Sequence, residues 1–529
     1  MNYTDPIFLC VFLPVIIAMY NLVPQKHRWK VLLISSYLFF WSISGKLIIY
    51  ILATTGIMYG CGLKLNKEQE KRNNALKNLE KAQKKEIKEK FLKKQRLIVT
   101  IASLILLGIL ILLKYSKFLG TNINNLFELL NIPLKLGIPK FIMPIGISFY
   151  TLEAIAYMLD VYKEKIKVEK NFLKLALFIS FFPKLMEGPI CRYEELSQSL
   201  WEGKKTTYKN FTFGLQRIGF GMMKKLLVVD RLNPFILEIY NNYSNYDGGI
   251  VALGMILYTV QLYMDFSGVM DIVIGTAEIF GVKMPENFRQ PFFSKTISEF
   301  WTRWHITLGT WFRDYIYYPV SLTKKCKNIT SSARKKLGNY YGPMVTSAIS
   351  LFCVWICNGF WHGAAWSYIF FGIYHFVLIL TGNLIQPLVK KINSKLHITG
   401  KHFIYQFFQI IRTTLLVFIG ELFFRANGLK AGCKMFKKMI TEFSFAQISN
   451  GKLFEMGIDK QDIILVICVL VIILITSFLK EKKVDIRKLI ASKNIIVRWS
   501  LYYALIILII VFGTYGIGIV HLDPIYANF

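Results

Sequence analysis

Apolar segments long enough to cross a bilayer recur along all 529 residues, and they constrain the fold more than any other feature. A spanning helix needs about 20 consecutive apolar residues. Candidate spans lie near 6–24, 31–44, 47–63, 97–118, 141–160, 172–189, 212–229, 250–280, 345–380, 405–424, 462–479 and 498–520. The pieces at 31–44 and 47–63 are short and suit a tight hairpin, whereas 250–280 and 345–380 are long enough to hold more than one span. Backbone groups in lipid must pair within their own segment, which makes stretches of this length helices. With 54% hydrophobic residues and a mean hydropathy of +0.42, a soluble domain is excluded. The expectation is an all-α integral membrane protein with roughly 11–13 transmembrane helices plus re-entrant or interfacial helices. It reads as one multi-pass domain over 1–529: N-terminal spans over 1–140, a core over 141–380, and C-terminal spans over 381–529.

The net charge of +33 invites a nucleic-acid reading, but its placement argues against one. Lys and Arg sit mainly in loops between spans, where the positive-inside rule puts them on the cytoplasmic face beside anionic lipid. The densest loop, 64–96, mixes Lys with Glu and suits a solvated or amphipathic helix. It and the basic turn at 25–30 are expected to be cytoplasmic, which places the N-terminus on the outer, extracytoplasmic side. The first apolar stretch lacks a basic leader and a small-residue cleavage site, so it reads as a retained span. Eight cysteines show neither C-x-x-C pairing nor His/Cys metal spacing, and Cys353 and Cys357 read as small apolar residues in a helix interface. The aromatic tail Asp523–Phe529 suits the membrane interface.

From 141 to 366 the spans become rich in Gly, Pro, Trp and charge. Pro144-Ile145-Gly146 and Pro183-Lys184-Leu185-Met186-Glu187-Gly188-Pro189 read as broken or re-entrant backbone, tolerated only where protein or water covers it. Asp265 and Asp271 interrupt an apolar run; they either pair with Lys or Arg between helices or line a substrate tunnel. The segment 287–319 carries Trp301, Trp304 and Trp311 with Arg303, Arg313 and Asp314 among them. Phe293, Ile297, Phe300, Trp304, Leu308, Trp311 and Tyr315 follow a helical period and predict one apolar face. His305 lies in the same segment.

The chemistry concentrates at 358–366, Asn-Gly-Phe-Trp-His-Gly-Ala-Ala-Trp. His362 stands in an apolar stretch almost without other ionisable groups, and such a group persists where it lines a cavity or does chemistry. The small residues after it let a substrate or a neighbouring backbone approach the ring. Asn358, four residues earlier, shares its helix face and could orient the imidazole or donate to an oxyanion. Trp361 adjoins His362, while His375, deeper in the stretch, reads as structural. Phosphate-loop, G-x-S-x-G and H-E-x-x-H patterns do not occur, which argues against ATP-driven transport and soluble-type hydrolysis.

Five stretches carry a resemblance: PIGISFYTLEAIAYMLDVY (144–162), FPKLMEGPICRY (182–193), DFSGVMDIVIGTAEIFGVKMPENFRQPF (265–292), FWTRWHITLGTWFRDYIYYP (300–319) and GFWHGAAW (359–366). In this order they resemble the membrane-bound O-acyltransferase superfamily. The likeness is to its bacterial alginate O-acetylation branch, which includes peptidoglycan O-acetyltransferases and the D-alanyl transfer protein of teichoic acids. Leu152-Glu153 departs from the branch, where an aromatic residue and Gln are expected, and the loop 321–339 is unusually rich in Lys and Ser. The resemblance implies an essential histidine at His362 and a second characteristic one at His305. It implies acyl transfer from a thioester to a hydroxyl through a central tunnel. Acetyl from acetyl-CoA is the default donor, without bound cofactor or metal, and the acceptor is an extracytoplasmic glycan or a partner protein that finishes the transfer. D-alanyl transfer to teichoic acid is the alternative within the branch. Outside it, a flippase for lipid-linked sugars predicts inverted repeats between two halves, which the chain does not show, and a pure scaffold predicts no activity.

Overall fold

The computed structural model describes residues 2–77, 81–400 and 402–515. The tail at 523–529 lies outside the described residues. Among those residues the secondary structure is helical throughout, apart from one isolated bridge between Phe288 and Trp304. Eight stretches are long and apolar enough to cross a membrane: Gln25–Ala75, Gln83–Leu129, Gly248–Ile279, Lys324–His362, Trp366–Lys395, Phe403–Arg425, Lys460–Glu481 and Ile495–Phe512. The first comprises helices Arg28–Ser44 and Ile48–Ala75, with a break at Gly45 (φ +51) between the pieces read at 31–44 and 47–63. The basic loop is helical on both sides of its centre, in Ile48–Ala75 and Lys81–Leu129.

Among the described residues, several core stretches do not form a single uninterrupted helix of spanning length. The stretch at 141–160 gives only Ile147–Tyr162, and 172–189 breaks into Phe172–Ser180 and Phe182–Leu185. The stretch at 212–229 passes from Tyr208–Lys224 into a π-turn at Lys225–Val229. By contrast 345–380 divides at Gly363 into two long helices, as its length suggested.

Two compact units are distinguished, Met1–Leu215 with Val273–Pro285 and Gln216–Ile272 with Glu286–Ala527. In the first, Tyr3, Phe8, Phe12, Phe39 and Phe182 form an aromatic cluster. Tyr3 ties it to the broken segment: its hydroxyl donates to Phe182 O at 2.8 Å and accepts from Met186 N at 3.1 Å. Gly146 (φ +70) packs so closely that a Cβ would lie 1.9 Å from Leu185 O, so the two broken motifs need each other and need glycine there. The departure at Glu153 has a physical reason: its carboxylate pairs with Lys184, both almost wholly buried, and accepts from Cys191 N at 2.9 Å.

In the second unit Asp265 is bound by Lys225 at 2.7 Å, and Asp271 by Lys224 at 2.7 Å and Arg217 at 3.0 Å. These are ion pairs between neighbouring helical segments. Cys357 is exposed on its helix rather than packed in an interface.

Removing one partner of a buried ion pair leaves the other charged and uncompensated, at a cost of about 3–5 kcal/mol. Lys184→Ala is therefore expected to lower the unfolding midpoint of the detergent-solubilised protein, and Glu153→Gln with Lys184→Gln to recover most of the loss. An unchanged midpoint in Lys184→Ala would show that the pair carries no net stability.

Candidate active site

The helix Lys324–His362 is interrupted at Gly338 (φ +78) and then runs unbroken to His362. It ends there because Gly359 and Gly363 bring the next helix, Trp366–Lys395, too close for any side chain. A Cβ on Gly359 would lie 2.6 Å from Tyr368 O, and one on Gly363 2.3 Å from the Tyr368 ring. The small residues beside His362 thus admit a neighbouring helix. The imidazole is buried, 3% exposed, and held edge-on by Phe424 at 5.1 Å, Phe371 at 5.9 Å and Trp361 at 5.0 Å.

His305 stands at a second break. The helical period from Phe293 to Tyr315 predicts one apolar face, and within it the chain forms two seven-residue helices, Ile297–Arg303 and Ile306–Phe312. Between them Trp304 is extended and His305 takes a left-handed conformation (φ +46, ψ +51). A non-glycine residue is uncommon there and persists when its surroundings impose it. Here they do, since Arg289 N donates to Arg303 O at 2.9 Å and Ile306 N to Asn287 O at 3.0 Å. The Asn287 side chain completes the clamp. Its Oδ1 accepts from Thr307 N at 3.1 Å and Thr307 Oγ1 at 2.9 Å, and lies 3.3 Å from His305 Nδ1. An amide oxygen only accepts, so His305 carries its proton on Nδ1 and keeps a lone pair on Nε2. Burial pushes the imidazole down to about 3, which keeps the ring neutral at physiological pH.

Both histidines line one cavity of about 530 Å³, together with Asn358, Trp304 and Arg313. Trp361 touches both rings, 5.4 Å from His305 and 5.0 Å from His362, but is not among the residues that line the cavity. Asn358 is buried one turn before His362, and its Oδ1 has no hydrogen-bond partner among the described residues. Of the other sequence candidates, Arg303 is engaged by Glu481 at 2.9 Å and Glu299 at 2.7 Å, and Asp314 pairs with its neighbour Arg313 at 3.1 Å. Asp265 and Asp271, held by their cations, do not line this cavity. Among the described residues there is no group of three or more His, Cys, Asp or Glu placed to hold a metal.

Sequence reasoning missed Asn287 as the residue that sets the His305 tautomer, because an amide 18 positions away shares no periodicity with it. It also passed over Trp355, which lines the cavity from the helix that carries His362.

Residues 147–334 match the profile of the MBOAT, membrane-bound O-acyltransferase family, a range that includes His305 and stops short of His362. A Pseudomonas syringae protein named "Probable alginate O-acetylase AlgI" is 31% identical over 452 residues, 84% of this chain and 76% of the relative. The peptidoglycan O-acetyltransferase of Helicobacter pylori is 27% identical over 475 residues, 83% of this chain and 79% of the relative. The teichoic acid D-alanyltransferase of Bacillus subtilis is 33% identical over 254 residues, but these are 47% of this chain and 60% of the relative.

Asn287→Leu removes the acceptor that fixes His305. It is expected to lower turnover about 10–100-fold, toward the lower part of what a positioned acid or base contributes, and to lower the unfolding midpoint as well, since Thr307 N–H and hydroxyl lose their acceptor. Asn287→Asp, which keeps an acceptor oxygen, is expected to retain more activity. Equal turnover in wild type and Asn287→Leu, measured as thiol release from an acyl thioester, would remove His305 orientation from the mechanism.

Proposed function

Because the chain belongs to the membrane-bound O-acyltransferase family, we propose that it takes an acetyl group from cytosolic acetyl-CoA, carries it across the membrane, and delivers it to hydroxyls of an extracytoplasmic polysaccharide. The last step runs directly or through a partner acyltransferase outside the cell. The O-acyltransferase class and the multi-pass membrane character are shown by the family match and the eight apolar helices. Acetyl is supported by the extent of the likeness to proteins named for alginate and peptidoglycan O-acetylation. D-alanyl transfer to teichoic acid is the second reading, and the Bacillus subtilis match favours it over a shorter part of the chain. A placement in the bacterial cytoplasmic membrane is part of this reading, and the basic turn and loop at 25–30 and 64–96 support an orientation with the N-terminus outside.

One observation carries the catalytic reading: His305 and His362, from two separate helix breaks, line the same cavity. A hydroxyl is a weak nucleophile at neutral pH and needs a base within reach. The acceptor oxygen attacks the thioester carbonyl carbon while its proton passes to the His362 imidazole. The tetrahedral intermediate then expels sulfur, the C–S bond breaks, and the imidazolium returns the proton to the leaving thiolate. Asn358 is the candidate amide donor to the oxyanion. The Nδ1–H tautomer of His305 presents a lone pair to its surroundings, which suits proton relay better than binding a carbonyl. Trp304 and Arg313 contribute wall and rim. Arg303, Asp265 and Asp271 are read as scaffold, since each is neutralised by a partner.

The test compares envelope and secreted glycans by mass spectrometry from cells expressing wild type, His362→Ala, His305→Ala or no protein. The acyl mass increment is expected to vanish in His362→Ala at normal protein levels and to fall less in His305→Ala. Near-normal acylation in His362→Ala would sink the catalytic assignment, and the mass of the increment separates acetyl from D-alanyl.

A further inference from the structure

We propose that His375 is a positioning residue which fixes a two-tryptophan wall of the catalytic cavity and thereby sets the size of the acyl group accepted; this rests on the acyl-transfer reading of that cavity. Trp301 and Trp355 line the cavity, and His375 stands behind them. His375 is wholly buried at 0% exposure in the helix Trp366–Lys395. Its Nδ1 accepts a hydrogen bond from Trp301 Nε1 at 3.2 Å. An indole N–H only donates, so the imidazole must keep its lone pair on Nδ1 and its proton on Nε2. The Trp355 ring stacks on the same imidazole at 5.4 Å and 28°, and the two indoles meet edge-on at 5.0 Å and 75°. One side chain therefore fixes the orientation of both indoles, one by hydrogen bond and one by stacking.

The imidazole itself cannot retreat. Gly420 on the helix Phe403–Arg425 approaches so closely that a Cβ there would lie 2.7 Å from His375 Nε2. Phe371 closes another side at 4.6 Å and also touches the His362 ring at 5.9 Å, so one aromatic layer runs from His375 to the proposed base. A cavity of about 530 Å³ is far larger than an acetyl group needs, so acyl length is restricted only if its walls hold still. An apolar wall discriminates by about 10–200-fold per methylene. A Trp301 released from its acceptor can swing, and the wall then yields to a longer chain.

The experiment measures thiol release from acetyl-, butyryl- and hexanoyl-CoA by the purified full-length protein supplied with alginate or peptidoglycan as the hydroxyl acceptor. His375→Phe keeps a ring for stacking and removes the acceptor. Its butyryl-to-acetyl rate ratio is expected to rise about tenfold, the lower end of discrimination per methylene. Trp301→Phe removes the donor and is expected to shift the ratio the same way, which guards against a His375 variant that fails to fold. His375→Asn, which places an amide oxygen near the Nδ1 position, is expected to stay close to the wild-type ratio. Equal fractional losses for all three donors in both His375→Phe and Trp301→Phe would overturn the proposal, since a merely structural role lowers every rate alike. A wild type that consumes none of the thioesters would instead refute the acyl-transfer reading and this proposal with it.

Discussion

Backbone that leaves a helix inside a membrane protein must recover its hydrogen bonds from the protein itself, and the candidate site is built where this chain does so. At Trp304–His305 the recovery comes from the Phe288–Trp304 bridge, which fastens residues 287–289 to 303–306. At His362–Gly363 the helix closes on its own last bond, Gly363 N to Gly359 O at 3.4 Å, and the helix that begins at Trp366 packs against it. The first break takes His305 out of the helical conformation, whereas His362 is the last residue of its own helix. A regular helix could not turn two imidazoles from different segments toward one cavity so directly.

The same constraint separates buried groups that hold the fold from those available for chemistry. Asp265, Asp271 and Glu153 are carboxylates taken out of water, and each faces a cation at hydrogen-bond range. A buried charge without such compensation is too costly to keep. The histidines meet the requirement differently. A neutral imidazole carries no charge and needs only one good hydrogen bond to be acceptable in an apolar wall. Asn287 supplies that bond to His305 and Trp301 supplies it to His375, with opposite consequences: the first leaves Nε2 as acceptor, the second leaves Nε2 as donor. Two histidines in similar surroundings are therefore given different chemistry by the partner of Nδ1.

What could be read from the sequence follows the range of the interactions involved. The long spans were legible, because apolar length answers to bilayer thickness alone. The division of 345–380 was legible too, since Gly363-Ala364-Ala365 is local. His362 was recognisable because one ionisable residue in such a stretch is conspicuous. The short core pieces were harder: 172–189 has the length of a span, but Pro183, Gly188 and Pro189 together with Tyr3 fold it into buried irregular backbone. The break at His305 was invisible for the opposite reason. The apolar period runs straight through it, because Trp304 and Leu308 both face the core whether or not the helix is continuous. Only the pairing with 287–289 ends the helix, and pairing across 18 residues leaves no mark in hydrophobic spacing. The departure at Glu153 looked like a lapse from the family pattern until Lys184 was found opposite it. A charge was admitted at one position because its counter-charge was admitted at the other.

Trp361 ties the two histidine segments together. Its indole contacts both rings edge-on, at 5.4 Å and 5.0 Å, and it adjoins His362 in the chain. It therefore adds apolar surface beside both imidazoles and fills space that water would otherwise take. The proposed acyl transfer would then run in a largely apolar cavity, where a donor aimed at the developing oxyanion is worth far more than it is in water.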